Sequence, residues 1–184
     1  MTTTLTSGRL ILRPWREDDL DALEQVCADP EVMAHFPAVL DHAGSAELLG
    51  KLMAHQAEHG FTFWCLERRE DGAVIGFTGL ARVGFAAPFV PAVETGWRLA
   101  RPFWDQGYAL EAARRSLQFA FEELELSEVV AFTVPGNVRS WGLMERLGMR
   151  RDPADDFEHP GLPVGHPLRA HWLYRIDRED WRGR

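Results

Sequence analysis

The sequence predicts a mixed α/β domain: a mostly antiparallel central sheet of about seven strands, with helices on both faces. Three observations point there. Short β-rich apolar runs recur, and two are joined by Glu70-Asp71-Gly72; Asp-Gly between apolar runs signals a hairpin. Longer runs with apolar residues at helical spacing separate other strands, so crossovers accompany the hairpins. An alternating run around Val93 hands over to a long amphipathic run through Gly107. The 184 residues suffice for a sizeable core, and no repeat or long linker divides them, so one domain over 1–184 is expected.

Residues 9–15 (RLILRPW) read as the first strand, ended by Pro14. Arg16-Glu17-Asp18-Asp19 then starts a helix, its acidic residues placed where the helix dipole favours them. Leu20, Leu23 and Val26 give it an apolar face, and Asp29-Pro30 stops it. A second helix spans 45–59, with Leu48, Leu49, Leu52 and Met53 at core spacing and Gly60 just past its end. Strands follow at 61–69 and 73–83 around the Asp71-Gly72 turn. Residues 84–91 (GFAAPFVP) form an apolar loop, and pairing resumes at Ala92. The strand from Val93 leads to a long helix on which Ala109, Ala113, Leu117, Ala120 and Leu124 share one side. Residues 128–134 read as a buried strand and 137–147 as a helix, with Asn137 as N-cap and Gly148 at its end. A short strand at 149–152, a Pro/Gly-rich loop at 155–167 and a closing strand at 168–177 complete the order. Trp181 lies in the tail.

Composition narrows the function. A net charge of -8 without any basic tail excludes nonspecific nucleic-acid binding. The charge either favours a cationic substrate or simply keeps the protein in solution. No apolar run reaches the ~20 residues of a membrane helix. The start of the chain lacks the pattern of a secretory signal. Cys27 and Cys65 form no close pair, which fits a reducing cytoplasm better than a disulfide framework.

The turn Trp104-Asp105-Gln106-Gly107-Tyr108-Ala109 is the centre of the chain. A strand passes into a helix there, leaving unpaired N–H groups at the positive end of the helix dipole, which is an anion site. Gly96, inside an otherwise β-like run, suggests a bulge or a close backbone approach.

Three pieces of the chain, around Glu94, Gly96, Trp97 and Leu99, then Gly107, Tyr108 and Ala109, then Asn137, Ser140 and Gly148, resemble in that order the GNAT N-acetyltransferase superfamily, and within it the ribosomal-protein-alanine (RimJ/RimL-type) branch. Glu94, Gly96, Trp97 and Leu99 match its E-x-G-[YW]-x-[LI] strand. Pro102, Trp104, Gly107, Tyr108, Ala109, Glu111 and Ala112 match its glycine turn. Asn137, Ser140, Leu143, Leu147, Gly148 and Met149 match its later helix. The resemblance implies acetyl-CoA as cofactor. Its pantetheine arm is expected between the fourth and fifth strands, on backbone groups of Trp97, Arg98 and Leu99 and within reach of Asn137. Its pyrophosphate is expected on Trp104, Asp105, Gln106, Gly107, Tyr108 and Ala109. Two positions depart from the branch. Asp105 stands where glycine is usual, and is strained if the backbone needs positive φ. Met144 stands where many members carry a tyrosine that protonates the leaving thiolate, and methionine donates no proton.

Acetyl transfer to an amine requires a proton acceptor, a polarised carbonyl and alignment. Glu94 is the expected base, acting through water; the alternative is a strand carboxylate that orients a neighbour. Ser140 is either the donor to the thiolate or a first-turn serine bonded locally. Glu111, in the first turn of its helix, is expected to be structural. His55 and His59 have the spacing of two metal ligands but no third, so a solvated helix face is expected and no metal. Trp97 and Trp141 are expected nearest the cofactor. The 84–91 loop lines either the acceptor pocket or a homodimer contact. The acceptor is a small-molecule amine or a protein N-terminus, reached by direct transfer. The rivals are a catalytically silent CoA-binding sensor, transfer of a longer acyl group, and a nucleotide-binding domain; the last lacks the G-x-x-x-x-G-K-[ST] run.

Overall fold

The computed structural model describes residues 3–182. Nine strands lie among them: β1 (Leu5–Thr6), β2 (Leu10–Arg13), β3 (Phe63–Arg68), β4 (Val74–Arg82), β5 (Val93–Leu99), β6 (Glu128–Thr133), β7 (Arg150–Arg151), β8 (Phe157–Glu158) and β9 (Ala170–Asp177). The helices are α1 (Leu20–Cys27), α2 (His42–His59), α3 (Tyr108–Glu122), α4 (Val138–Leu147) and α5 (Arg178–Arg182). The sheet runs β1-β2-β3-β4-β5-β6-β9-β7, with β8 also on β9. Every pairing is antiparallel except β5 with β6. The two strands beyond the expected seven, β1 and β8, have two residues each, too few for alternation to reveal. α2 begins at His42, three residues ahead of the expected start, because Asp41 accepts the Gly44 N–H at 2.8 Å.

Helices cover both faces. α3 and α4 pack Ala113, Leu117, Ala120 and Leu147 on one face of the sheet, against Trp64, Leu66, Ile75 and Leu80. α1 and α2 pack Leu23, Cys27, Leu49 and Leu52 on the other, against Trp15, Cys65 and Phe77. A third apolar cluster sits beside the second, where Phe85 and Phe89 of the 84–91 loop lie on Phe132 and Phe157.

Two polar devices tie helices to the sheet. Arg13 is buried and donates to both carboxylate oxygens of buried Asp19, at 2.7 and 2.8 Å, and to Glu67 at 2.6 Å. His55 is not on a solvated face as expected. The Arg82 N–H donates to its Nε2 at 3.0 Å, so Nδ1 carries the proton and donates to the Phe61 carbonyl at 2.8 Å. The ring joins the end of α2 to the sheet in its neutral form.

Of the bulge or close approach expected at Gly96, the bulge is absent. The β4–β5 register runs unbroken from Gly76↔Leu99 to Arg82↔Val93. Gly96 is instead bare because a Cβ there would meet the Phe63 ring at 3.2 Å. The register shift lies between Leu66 and Glu67 on β3.

Candidate active site

β5 and β6 form the one parallel junction, and they touch at a single register pair, Glu94↔Val130. Beyond it the strands part, and a cleft of about 940 Å³ opens through the sheet. The β4–β5 ladder decides which backbone groups face it. Val83 N–H donates to Ala92 C=O, and Ala100 N–H to Ile75 C=O, so even-numbered positions of β5 turn their backbone to β4. Trp97 and Leu99 turn theirs to the cleft. The Leu99 carbonyl is already engaged, accepting from Trp104 Nε1 at 2.8 Å. Arg98 is the correction: its backbone belongs to the β4 ladder, so the expected main-chain contact with a cofactor is not available from it.

At the α3 end of the cleft stand Trp104, Asp105, Gly107, Tyr108 and Ala109. Gly107 is the N-cap, at φ 81°, and has no side chain with which to cap, so the first N–H groups of α3 stay open to a ligand. Asp105 does occupy a positive φ, 57°, the strained conformation that its sequence position raised. Its carboxylate turns toward Arg139, 3.9 Å away, and both are exposed. Gln106 donates to the Pro102 carbonyl at 2.6 Å and stands outside the lining. Behind the turn, Glu111 accepts from Ser7 Oγ and from Arg9 N–H and Nε, each at 2.7 Å. Arg9 Nη1 in turn donates to the Gln106 carbonyl at 3.0 Å, and its guanidinium lies over the Tyr108 ring. The structural role expected of Glu111 is thus to bind the N-terminal segment beneath the turn. Arg9 was missed, since nothing in the sequence pairs a residue with one a hundred positions away.

The other face of β5 presents Glu94, Gly96 and Arg98, the alternate positions, toward the α1–α2 side. Glu94 lines the cleft where the strands part, half-buried. No donor or cation pairs with its carboxyl among the described residues, and burial pushes its pKa up to about 8. Around it the wall is aromatic: Phe132, His159 and His171, with Leu162 and Leu168 from the late loop. Burial lowers the pKa of both histidines, whose rings lie 5.3 Å apart. The 84–91 loop does not line the cleft; Phe85 packs behind His159 at 4.5 Å. Trp141 is also outside the lining, packed on Trp172 at 5.9 Å, whereas Trp97 and Trp104 are within it.

On α4, Asn137 accepts the Ser140 N–H at 3.4 Å and donates to Thr133 Oγ1 at 3.0 Å. The Ser140 hydroxyl has no partner among the described residues and lines the cleft. Met144 lines it too, nearly fully buried. Of the tyrosines, Tyr174 bonds to Glu145. Neither cysteine lines the cleft: Cys27 Sγ accepts from Arg98 at 3.2 Å, and burial pushes the Cys65 thiol up to about 12. Asp21, Glu24 and His42 cluster at the surface of α1 and α2, outside the cleft lining.

A sheet of mixed direction whose one parallel pair parts at Glu94, beside a helix that starts on a glycine without a side-chain cap, is the arrangement to compare with known proteins. Residues 9–150 match the acetyltransferase (GNAT) domain family, and the chain belongs to it. The chain is 37% identical over 189 residues to an FsC-acetyl coenzyme A-N(2)-transacetylase of Aspergillus fumigatus, covering 97% of this chain and 77% of that one. It is 28% identical over 179 residues to the uncharacterized N-acetyltransferase YnaD of Bacillus subtilis, covering 96% and 98%. The ribosomal-protein-S5-alanine acetyltransferase of Vibrio fischeri shares the fold, with a TM-score of 0.74 at 15% identity over 97% and 98% of the two chains. The protein is therefore an acetyltransferase of mixed α/β fold. No helix among the described residues is long and apolar enough to cross a membrane.

Proposed function

We propose that the chain, acting as one domain over 1–184, transfers an acetyl group from acetyl-CoA directly to a primary amine. The observation that carries this reading is the Glu94 carboxyl, unpaired and lifted toward neutral pKa at the point where β5 and β6 part. The residues present fit the cofactor: an uncapped α3 start offers N–H groups to phosphates, and the free edge of β5 offers amide groups to an extended arm. When bound, the thioester supplies an acetyl carbon open to attack by the amine, with the thiolate as leaving group. Trp97 and Leu99 hold the arm from the β5 edge; Gly107, Tyr108 and Ala109 hold the phosphates.

Glu94 accepts the proton of the acceptor ammonium, directly or through one water. Only the ionised carboxylate can do so; with a pKa near 8 that form is the minority at pH 7 and grows as the pH rises through 8, so the rate is expected to climb with it. Ser140 supplies a hydroxyl that no other group occupies, and it donates toward the departing sulfur. Two buried or engaged cysteines outside the cleft support transfer without an acyl-cysteine intermediate. Acceptor classes in keeping with the cleft are a small amine and a protein N-terminus.

The test is thiol release from acetyl-CoA with a panel of amines, followed by initial-rate patterns. Intersecting lines support a ternary complex; parallel lines overturn direct transfer. Ser140→Ala is expected to lower turnover while CoA affinity stays the same. The reverse result removes the acid role. A second reading, a CoA-binding module without catalysis, draws on Met144, which leaves the cleft without the tyrosine donor. Tight CoA binding with no thiol release for any amine would favour it. The acyl-chain length is read from the same assay with propionyl-CoA and butyryl-CoA.

A further inference from the structure

Arg98 is a half-buried cation without a counter-ion among the described residues. It projects from the same face of β5 as Glu94, and its side chain is enclosed on three sides. Phe36 covers one side of the guanidinium, 3.9 Å from its centroid, and Phe77 lies 5.0 Å away. Nη1 donates to the Cys27 thiol at 3.2 Å, a neutral and weak acceptor. Nε is buried and bonds to nothing. Nη2 bonds to nothing either, but it is not buried, and Arg98 lines the cleft. No carboxylate pairs with this guanidinium among the described residues, although acidic residues outnumber basic ones, 28 to 20. Leaving a charge buried and unpaired is strongly unfavourable, and proteins ordinarily neutralise it with a partner. Of the two unfilled donors only Nη2 opens to the cleft, so Nη2 is the one placed to donate to a carboxylate there, with the charge of the whole guanidinium behind it.

We propose that Arg98 is an anion anchor in the acceptor half of the cleft, so that the acceptor is an amine that also carries a carboxylate. The spacing is set by the strand. Glu94 and Arg98 are four residues apart on one face, about 13 Å along the backbone at the rise of a β-strand. Gly96 between them has no side chain, and the Phe63 ring forms the floor there. The face thus presents a proton acceptor, a bare apolar stretch, and a cation. An acceptor whose amine and carboxylate are separated by several bonds spans that arrangement; one whose two groups share a carbon does not. The ladder parity of β5 also separates this group from the cofactor arm, which runs along the odd-numbered edge. For the amine, the inference rests on the transferase reading above; the anion site itself does not depend on it.

The test uses di-, tri- and tetraglycine, each as the free acid and as the C-terminal amide, with the whole protein and acetyl-CoA. The free acid of at least one length is expected to exceed its amide in kcat/KM by tenfold or more, the difference lying in KM. Arg98→Met, close in shape and uncharged, brings acid and amide within twofold of each other, while Arg98→Lys keeps part of the preference. Equilibrium binding of N-acetyl-diglycine to the CoA-loaded protein supplies a readout without transfer. It is expected for the native chain and weakened at least tenfold in Arg98→Met. CoA affinity is expected to change less than twofold in both variants, and thermal unfolding checks that each is folded. Equal rates for acid and amide in the native protein overturn the proposal, as does a preference that survives Arg98→Met. A tenfold fall in CoA affinity with no change in acid preference assigns Arg98 to the cofactor instead. Arg98-dependent binding of N-acetyl-diglycine without any acetyl transfer keeps the anchor and removes the transferase reading.

Discussion

Replacing Glu94 with glutamine keeps the shape of the side chain and removes its titration. In the folded protein the carboxyl's pKa is raised from 4.5 to about 8 by burial. The sign follows from proton counts. Between those two pH values the unfolded chain has released the proton and the folded chain holds it, so native stability falls as pH rises through that window. It is unaffected below 4.5 and fully reduced above 8. A rise of that size corresponds to an upper bound of about 5 kcal/mol, at about 1.4 kcal/mol for each pH unit. Glu94→Gln lacks this penalty. Urea unfolding of the two proteins at pH 4.5 and at pH 9 measures it: the variant gains on the native chain by several kcal/mol at pH 9 and by little at pH 4.5. The same substitution lowers kcat/KM by roughly 10²–10⁴-fold, the usual contribution of a positioned base. It also removes the limb of the pH–rate profile near 8, leaving the ionisation of the acceptor amine. A stability difference that does not change with pH, or a variant that retains both rate and limb, refutes the assignment.

Three other substitutions probe the surrounding frame. Gly107→Ala forces an alanine to φ 81°, at about 1–2 kcal/mol, although its Cβ finds ordinary room 3.5 Å from Arg9; calorimetry is expected to show CoA affinity reduced by about tenfold. Asp19→Ala leaves buried Arg13 with Glu67 as its one carboxylate partner, and is expected to cost about 3 kcal/mol in urea unfolding. Burial raises the Asp19 pKa, but bonds from Arg13 and from the Arg16 N–H outweigh it and hold the group below 3.8. Its contribution is thus complete above that value and lost as pH falls through the folded pKa. His55→Ala removes the bridge from Phe61 to Arg82. Burial, the largest influence, keeps the native ring's pKa below 6.5, so native stability drops as pH falls below 6.5, and that slope disappears in the variant.

Much of this architecture could be read from local chemistry. Asp71-Gly72 set the hairpin, Asn137 and Gly148 bounded α4, and the glycine turn located the start of α3, because each feature is written within a few residues. What local chemistry does not carry is depth. The start of α2 was set too late because its helical spacing becomes apolar only after the Asp41 cap. His55 looked solvated because its two partners come from β4 and from Phe61, just ahead of β3. The 84–91 loop was apolar for a reason that only packing reveals, as Phe85 and Phe89 close over Phe132 and Phe157. In the site, the alternation along β5 could have been read, but the expected backbone contact from Arg98 ignored it, and the structure puts Glu94 and Arg98 on one face. That Arg98 lacks a carboxylate was not legible, since the thiol and rings around it come from α1, β4 and the segment after α1.

The parting of β5 and β6 gives a nine-stranded sheet something that sheets otherwise keep at their rims: an open edge in the interior. Rim edges are guarded by short strands or by charge, because any passing strand can pair with them. This one is guarded by shape, since a crevice walled by Trp97, Trp104 and Phe132 admits a single narrow chain and excludes a second sheet. The amides of Trp97 and Leu99 are then the least protected in the middle of the sheet. Their hydrogen exchange slows when an extended ligand takes the place of the missing strand, so occupancy of the site can be followed at those two amides before any acceptor is in hand.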